Sequence, residues 1–183
     1  MVISFEFAVP ALKPICIYII LASIIPISCA QQDTVSHGAP ADSFVNTQGE
    51  IIEKLYLTKR EWAERLTDQG YFVLRQSGTE RAFTGKYWNY HEAGIFQCAG
   101  CGLPLFSSKT KFESGTGWPS FYQPVDNTHV GESRDVLFGI PRTEVHCNRC
   151  GGHLGHVFRD GPAPTGLRYC INSVSLEFDR DPG

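Results

Sequence analysis

Cys98-Ala99-Gly100-Cys101-Gly102 and Cys147-Asn148-Arg149-Cys150-Gly151 are two C-x-x-C-G stretches with 45 residues between Cys101 and Cys147. Two residues between thiols let one tight turn direct both sulfurs at a common point, and the trailing glycine tolerates the backbone conformation that such a turn demands. Two such turns close a tetrahedron around one zinc ion, with Zn–S of ~2.3 Å and no open position. The reading is therefore one structural zinc per chain, held by Cys98, Cys101, Cys147 and Cys150. Two disulfides, or two redox C-x-x-C motifs, are the competing reading, and export from the cell would favour it. Against it, a disulfide across C-x-x-C is strained, and a thioredoxin-like motif opens a helix, whereas glycine follows each pair here.

Outward from these knuckles the texture is β. From Ile95 onward glycine and proline recur every few residues, and the runs Val136-Leu137-Phe138-Gly139-Ile140, Glu144-Val145-His146-Cys147 and Val174-Ser175-Leu176-Glu177-Phe178 show strand propensity or alternation. On the N-terminal side, Thr58-Lys59-Arg60-Glu61 is a capping box, and Trp62 and Leu66 share a face, predicting a short helix that stops near Gly70. Leu74 to Glu80 reads as a second short helix or a turn ended by Gly78, and Tyr87-Trp88-Asn89-Tyr90 opens an aromatic-rich region. The expected fold is mainly β and antiparallel, with short N-terminal helices, stapled by the two knuckles. Of 183 residues, 42% are hydrophobic and twelve are Phe, enough for one core and too many for a disordered chain. Sixteen basic against nineteen acidic side chains give a net charge of −3, without a block of like charge, so no face would track phosphates and nucleic acid is excluded as a partner.

Before the folded part, Ile15 to Ile27 is an uncharged apolar run, preceded by Lys13 and followed by Ser28-Cys29-Ala30. Residues 1–30 read as an export signal, with Ser28 and Ala30 as the small residues before a cut after Ala30. Two alternatives stand: Cys29 as the lipid-bearing first residue of a lipoprotein, and an uncleaved anchor, since Pro14 to Ala30 is marginal for a span of ~20 residues. The expectation is an exported protein, periplasmic or secreted, whose only membrane contact is through this terminus. Residues 31–50 have the composition of a flexible linker, which places the folded unit at 51–183. Removing residues 1–30 leaves five cysteines, an awkward number for a pure disulfide scaffold.

Once four thiols are assigned to metal, Cys170 stands alone in Gly166-Leu167-Arg168-Tyr169-Cys170-Ile171-Asn172-Ser173. Most single cysteines are small buried hydrophobes, but a lone thiol is also a candidate nucleophile. Arg168 and Asn172, at −2 and +2, share its face on a strand, where a cation favours the thiolate and an amide supplies hydrogen bonds. Just upstream, Gly151-Gly152-His153-Leu154-Gly155-His156-Val157-Phe158 brings two imidazoles three residues apart, directly after the second knuckle. Histidines in a glycine-rich turn are poor core material; a surface loop or metal ligation are the plainer readings, but four thiolates already saturate a zinc. His153 and His156 are therefore candidates for proton donor and substrate clamp.

These stretches, together with Thr79-Glu80-Arg81-Ala82-Phe83-Thr84-Gly85, Tyr87-Trp88 and Phe112-Glu113-Ser114-Gly115-Thr116-Gly117-Trp118-Pro119-Ser120-Phe121, resemble the B-type methionine sulfoxide reductases, in register from about Ile52 to Asp179. The resemblance implies two small antiparallel sheets with zinc, and reduction of methionine-R-sulfoxide, chiefly in oxidised proteins. It makes Cys170 the nucleophile and Trp118 the aromatic wall for the sulfoxide's methyl group. His153, His156 and Asn172 would bind and polarise the S=O group, and Arg168 would set the electrostatics. One departure matters: many members carry a resolving cysteine where this chain has Thr116. That implies a one-cysteine route, in which the Cys170 sulfenic acid is reduced by an external thiol such as a thioredoxin-like partner or a small dithiol. A monomer is the expected state. The alternatives are a zinc-ribbon binding module with an inert Cys170, which leaves Trp118, His153 and His156 idle, and a cysteine hydrolase, for which no oxyanion-hole motif is recognisable. An S-type sulfoxide reductase lacks its nucleophile loop here.

Overall fold

The computed structural model of the chain describes residues 42–137 and 140–180; the leader and most of the expected linker, including Cys29, lie outside them. Among the described residues no helix is long and apolar enough to cross a membrane. The described fold begins inside the stretch expected to be linker. β1 (Ser43–Val45) pairs antiparallel with β2 (Ile51–Glu53), setting Phe44 opposite Ile52. Composition missed this ribbon because its anchor is remote in sequence. Asp126 accepts from the Thr47 amide at 2.8 Å and from the Thr47 hydroxyl, and also from the Thr128 amide and hydroxyl at 2.8 and 2.7 Å. These donors hold the Asp126 carboxyl well below the usual carboxylate range, against the opposing pull of its burial.

The expected capping box is formed. Thr58 caps α1 (Lys59–Arg65), accepting from the Glu61 amide, while the Glu61 carboxylate accepts from the Thr58 amide at 2.8 Å. Gly70 is not the stop that the sequence suggested. α1 ends at Arg65, and Thr67 caps α2 (Asp68–Gln76) by accepting from the Gly70 amide at 3.1 Å, so Gly70 lies in that helix's first turn. α2 ends at Gln76 and is capped by Ser77, in a left-handed conformation with φ of 55°, just before Gly78. Trp62 of α1 and Val73 and Leu74 of α2 are buried, which is why two such short helices persist.

The rest is β: β3 (Gly94–Cys98), β4 (Pro104–Ser107), β5 (Lys111–Phe112), β6 (Ser120–Phe121), β7 (Val130–Leu137), β8 (Ile140–Cys147), β9 (His153–Phe158), β10 (Arg168–Ile171) and β11 (Leu176–Arg180). Of the run Val136 to Ile140, expected as strand, Val136 and Leu137 end β7 and Ile140 opens β8, while Phe138 and Gly139 lie outside the described residues. Two main antiparallel sheets result, a six-stranded one ordered β5-β6-β10-β9-β8-β7 and a three-stranded one ordered β11-β3-β4. Phe96, Leu105 and Phe106 from the smaller sheet meet Phe121, Leu154 and Ile171 from the larger one in a fully buried core. Phe106 stacks on Phe121 with centroids 4.5 Å apart. Truncating either ring to Ala would cost about 3–5 kcal/mol.

Candidate metal centre and active site

Each knuckle sits where a strand ends. Cys98 closes β3 and Cys147 closes β8, so the thiol cluster joins the three-stranded sheet to the six-stranded one. The turns are built alike: the Gly102 amide donates to the Cys98 carbonyl at 2.8 Å, and the Gly151 amide to the Cys147 carbonyl at 2.8 Å. Gly102 and Gly151 take φ of +75° and +67°, the left-handed region for which the sequence had marked them. The four sulfurs lie within 4.8 Å of one another, with Cys98 to Cys150 at 3.7 Å and Cys101 to Cys147 at 3.5 Å. A tetrahedral ion with Zn–S of ~2.3 Å requires sulfur separations of about 3.8 Å, so the donors fit a zinc-sized soft cation. The carbonyls of the knuckles are held in turn: Arg75 donates to the Cys150 carbonyl at 2.9 Å and Arg149 to that of Cys101 at 3.1 Å. All four thiols are buried, and the cluster can hold a metal ion.

The fifth described cysteine is placed quite differently. Cys170 lies mid-sheet on β10, opposite Ser120 of β6 and His156 of β9. It is half-buried and free. Beside it opens a cleft of about 150 Å³, lined by Thr79, Trp118, Arg142, Gly155, His156, Phe158, Cys170 and Asn172. Four of the residues singled out from sequence, Trp118, His156, Cys170 and Asn172, therefore meet at one surface. A Cβ on Gly155 would collide with the Cys170 carbonyl, so the close approach of β9 to β10 depends on glycine there.

His153 and Arg168 stand beside the cleft without lining it. Residues three apart on a regular strand face opposite ways, but the β8–β9 register shifts between Val145 and His146. That bulge puts the His153 and His156 rings edge to face, 5.5 Å apart. Arg168 makes a two-pronged pair with Asp160 at 2.9 and 2.8 Å and lies over the Phe158 ring at 4.4 Å. Asn172 is fixed from both ends: its oxygen accepts from the Glu80 amide at 3.0 Å and its nitrogen donates to the Leu154 carbonyl at 3.0 Å. The Trp118 indole donates to the Glu80 carbonyl at 3.2 Å, and the buried Glu80 carboxylate accepts from the Ser173 and Val174 amides at 2.6 and 3.1 Å. Glu80 thus ties Trp118 to the turn that follows Cys170.

Burial pushes the Cys170 thiol up from its ordinary value, against the opposing pull of the Thr116 hydroxyl, 3.9 Å away, and the Arg168 guanidinium. Burial likewise lowers His156, opposed by its contact with Asp135 at 2.9 Å. Sequence reasoning did not find Asp135, Arg142 or Glu144, which surround the histidines. Asp135 pairs with Arg142, and Glu144 contacts His153 Nδ1 at 2.6 Å. Glu144 lies in a run read as strand, but only the strand register assigns these residues their partners. A half-buried thiol beside imidazole, amide and indole groups can act as a nucleophile toward a small, partly apolar electrophile.

The SelR domain family matches residues 66–180. The chain is 58% identical over 121 residues to the peptide methionine sulfoxide reductase MsrB of Thiobacillus denitrificans, covering 66% of this chain and 92% of that protein. The corresponding protein of Leptospira interrogans is 57% identical over the same length and coverage. The chloroplastic peptide methionine sulfoxide reductase B1 of Oryza sativa is 58% identical over 125 residues, covering 68% of this chain and 58% of that protein. With the thiol cluster and the Cys170 cleft in the matched region, the chain belongs to the SelR-domain family of MsrB peptide methionine sulfoxide reductases.

Proposed function

We propose that this protein is a peptide-methionine (R)-S-oxide reductase that repairs oxidised proteins. The observation that carries the reading is the free Cys170 thiol in a cleft with Trp118, His156 and Asn172, in a chain of this family. Trp118 receives the methyl group, and Asn172 with the histidine pair holds the sulfoxide oxygen. Cys170 sulfur attacks the electrophilic sulfur as its own proton passes through an imidazole to the departing oxygen. Methionine leaves and Cys170 becomes a sulfenic acid. Arg168, tethered by Asp160, offsets part of the burial that disfavours the thiolate.

Regeneration is external in this reading. Thr116, not cysteine, stands 3.9 Å from the Cys170 sulfur, and the other described thiols are the four of the cluster. A thioredoxin-like protein or a small dithiol therefore supplies the electrons. The cluster of Cys98, Cys101, Cys147 and Cys150 holds one structural zinc, whose closed coordination contributes folding free energy and no reaction step. Residues 1–30 direct export, with cleavage after Ala30 or lipid attachment at Cys29. The test offers separate R and S epimers of a methionine sulfoxide peptide with dithiothreitol to the wild type and to Cys170→Ser. The R epimer alone is reduced, and only by the wild type. A zinc-loaded wild type that reduces neither epimer overturns the reading.

A further inference from the structure

The two histidines are backed by carboxylates that the chemistry above leaves unused. Glu144 on β8 lies between two strands: its Oε2 accepts from the Ser133 hydroxyl of β7 at 2.6 Å, and its Oε1 stands 2.6 Å from His153 Nδ1 of β9. A buried imidazole that donates Nδ1–H to a carboxylate is held in one orientation and one tautomer. His153 is 4% exposed, and its other nitrogen, Nε2, is buried without a hydrogen-bond partner among the described residues. A buried polar atom without a partner is rare, and a catalytic role is one reason to keep one. The edge-to-face neighbour of that ring is His156, which lines the cleft.

We propose that Glu144 is a positioning residue for sulfoxide reduction: braced by Ser133, it holds His153 through Nδ1 in one orientation and tautomer, leaving Nε2 as the atom that takes up and passes on the thiol proton beside His156. The inference rests on the reductase reading of the same site. The step balances without outside help. One S–O bond breaks at the methionine sulfur and one forms at Cys170, two electrons pass from the Cys170 sulfur to the methionine sulfur, and the thiol proton, relayed by imidazole, ends on the sulfenic oxygen. Glu144 takes part in no bond change; it sets which nitrogen of His153 carries the transferable proton.

The test is single-turnover methionine formation from an R-epimer peptide by zinc-loaded enzyme in excess, with no reductant. Glu144→Gln, which keeps the shape and loses the charge, slows the rate constant on the order of 10- to 100-fold, with the half-saturating concentration within about two-fold. Glu144→Asp recovers part of the loss, Ser133→Ala slows the step by a few fold, and Glu132→Gln, exposed on the same strand as Ser133, changes nothing. In the proton NMR spectrum, the low-field His153 Nδ1–H signal shifts or disappears in Glu144→Gln with zinc content unchanged. A Glu144→Gln rate equal to wild type, or a loss confined to half-saturation, overturns the inference alone. Should that variant not fold, Ser133→Ala decides, a wild-type rate being the overturning result. A wild type that forms no methionine overturns the reductase reading, and this inference with it.

Discussion

The knuckle cluster and the Cys170 cleft use the same atom for opposite ends. In the cluster, two turns at strand ends bring four buried sulfurs within 4.8 Å, with each turn glycine in a left-handed conformation. In the cleft, one sulfur is carried mid-strand, half-buried, and its neighbours come from strands β6 and β9 and the Thr79–Glu80 segment. A metal centre needs donors converging on a point, which local turn geometry supplies. A nucleophile needs chemically different neighbours around an open space, which only cross-strand register supplies. Stability should therefore depend on the first region and turnover on the second.

Metal removal tests that separation most severely. Chelation, or Cys147→Ser, uncouples β3 from β8, and structural zinc in small domains contributes on the order of 10 kcal/mol of apparent free energy at neutral pH, comparable to a whole domain's stability. The expected outcome is loss of the cooperative melting transition. Cys170→Ser should instead keep zinc content and Tm while abolishing sulfoxide reduction. Zinc analysis with calorimetry on both variants checks this, and a chelated protein that melts as before would break the comparison.

The second prediction converts the cleft. Thr116 Oγ1 lies 3.9 Å from Cys170 Sγ, so a sulfur at that γ position needs to close only to the ~2.05 Å of a disulfide bond. Thr116→Cys should form a disulfide with Cys170 after one turnover, detected by mass spectrometry of the unreduced protein. Turnover would then respond better to disulfide reductases than the wild type does. A Thr116→Cys protein whose Cys170 still accumulates as sulfenic acid would show that the two positions do not approach during the reaction.

The contrast also explains what could be read from the sequence. The knuckles, the Thr58–Glu61 capping box and the β texture after Ile95 depend on spacings of two to four residues, and the fold contains all of them. Cys170, Trp118, His156 and Asn172 were named together through the family resemblance, and they line one cleft. Glu144 and Asp135 were not legible, because their partners His153 and His156 lie 9 and 21 residues away and are assigned by the β7–β8–β9 register with its bulge. β1 was hidden for the same reason, its anchor Asp126 being 79 residues from Thr47. Gly70 misled because glycine is a stop signal only after a helix's last turn, and Thr67 had already begun a new one.

A smaller effect concerns pH. Burial raises Cys170, so the thiol is neutral at pH 7 and thiolate accumulates only as pH climbs past the ordinary thiol range. Iodoacetamide labelling of Cys170 should therefore keep accelerating into alkaline solution without a plateau near neutrality. Thr116→Val removes a hydroxyl that lowers the thiol, and should move the rise to still higher pH. A labelling plateau near neutral pH would mean that Arg168 outweighs burial.

The smallest expected effect sharpens the separation of stability from turnover. Thr58→Ala removes the α1 cap, which costs about 1 kcal/mol in typical hosts and lowers Tm by a few degrees. α1 carries the buried Trp62, over which the Arg75 guanidinium lies at 4.7 Å while donating to the Cys150 carbonyl. The loss is thus transmitted toward the knuckles, and zinc should dissociate slightly faster from the variant, as a chromogenic chelator would record. α2 also packs on β9 and on the turn at Ser173–Ser175, but its own Thr67 cap is untouched by this substitution, so the single-turnover rate should match the wild type. A Thr58→Ala protein that keeps its Tm but turns over more slowly would show that the helical side reaches the cleft and that the two regions are not independent.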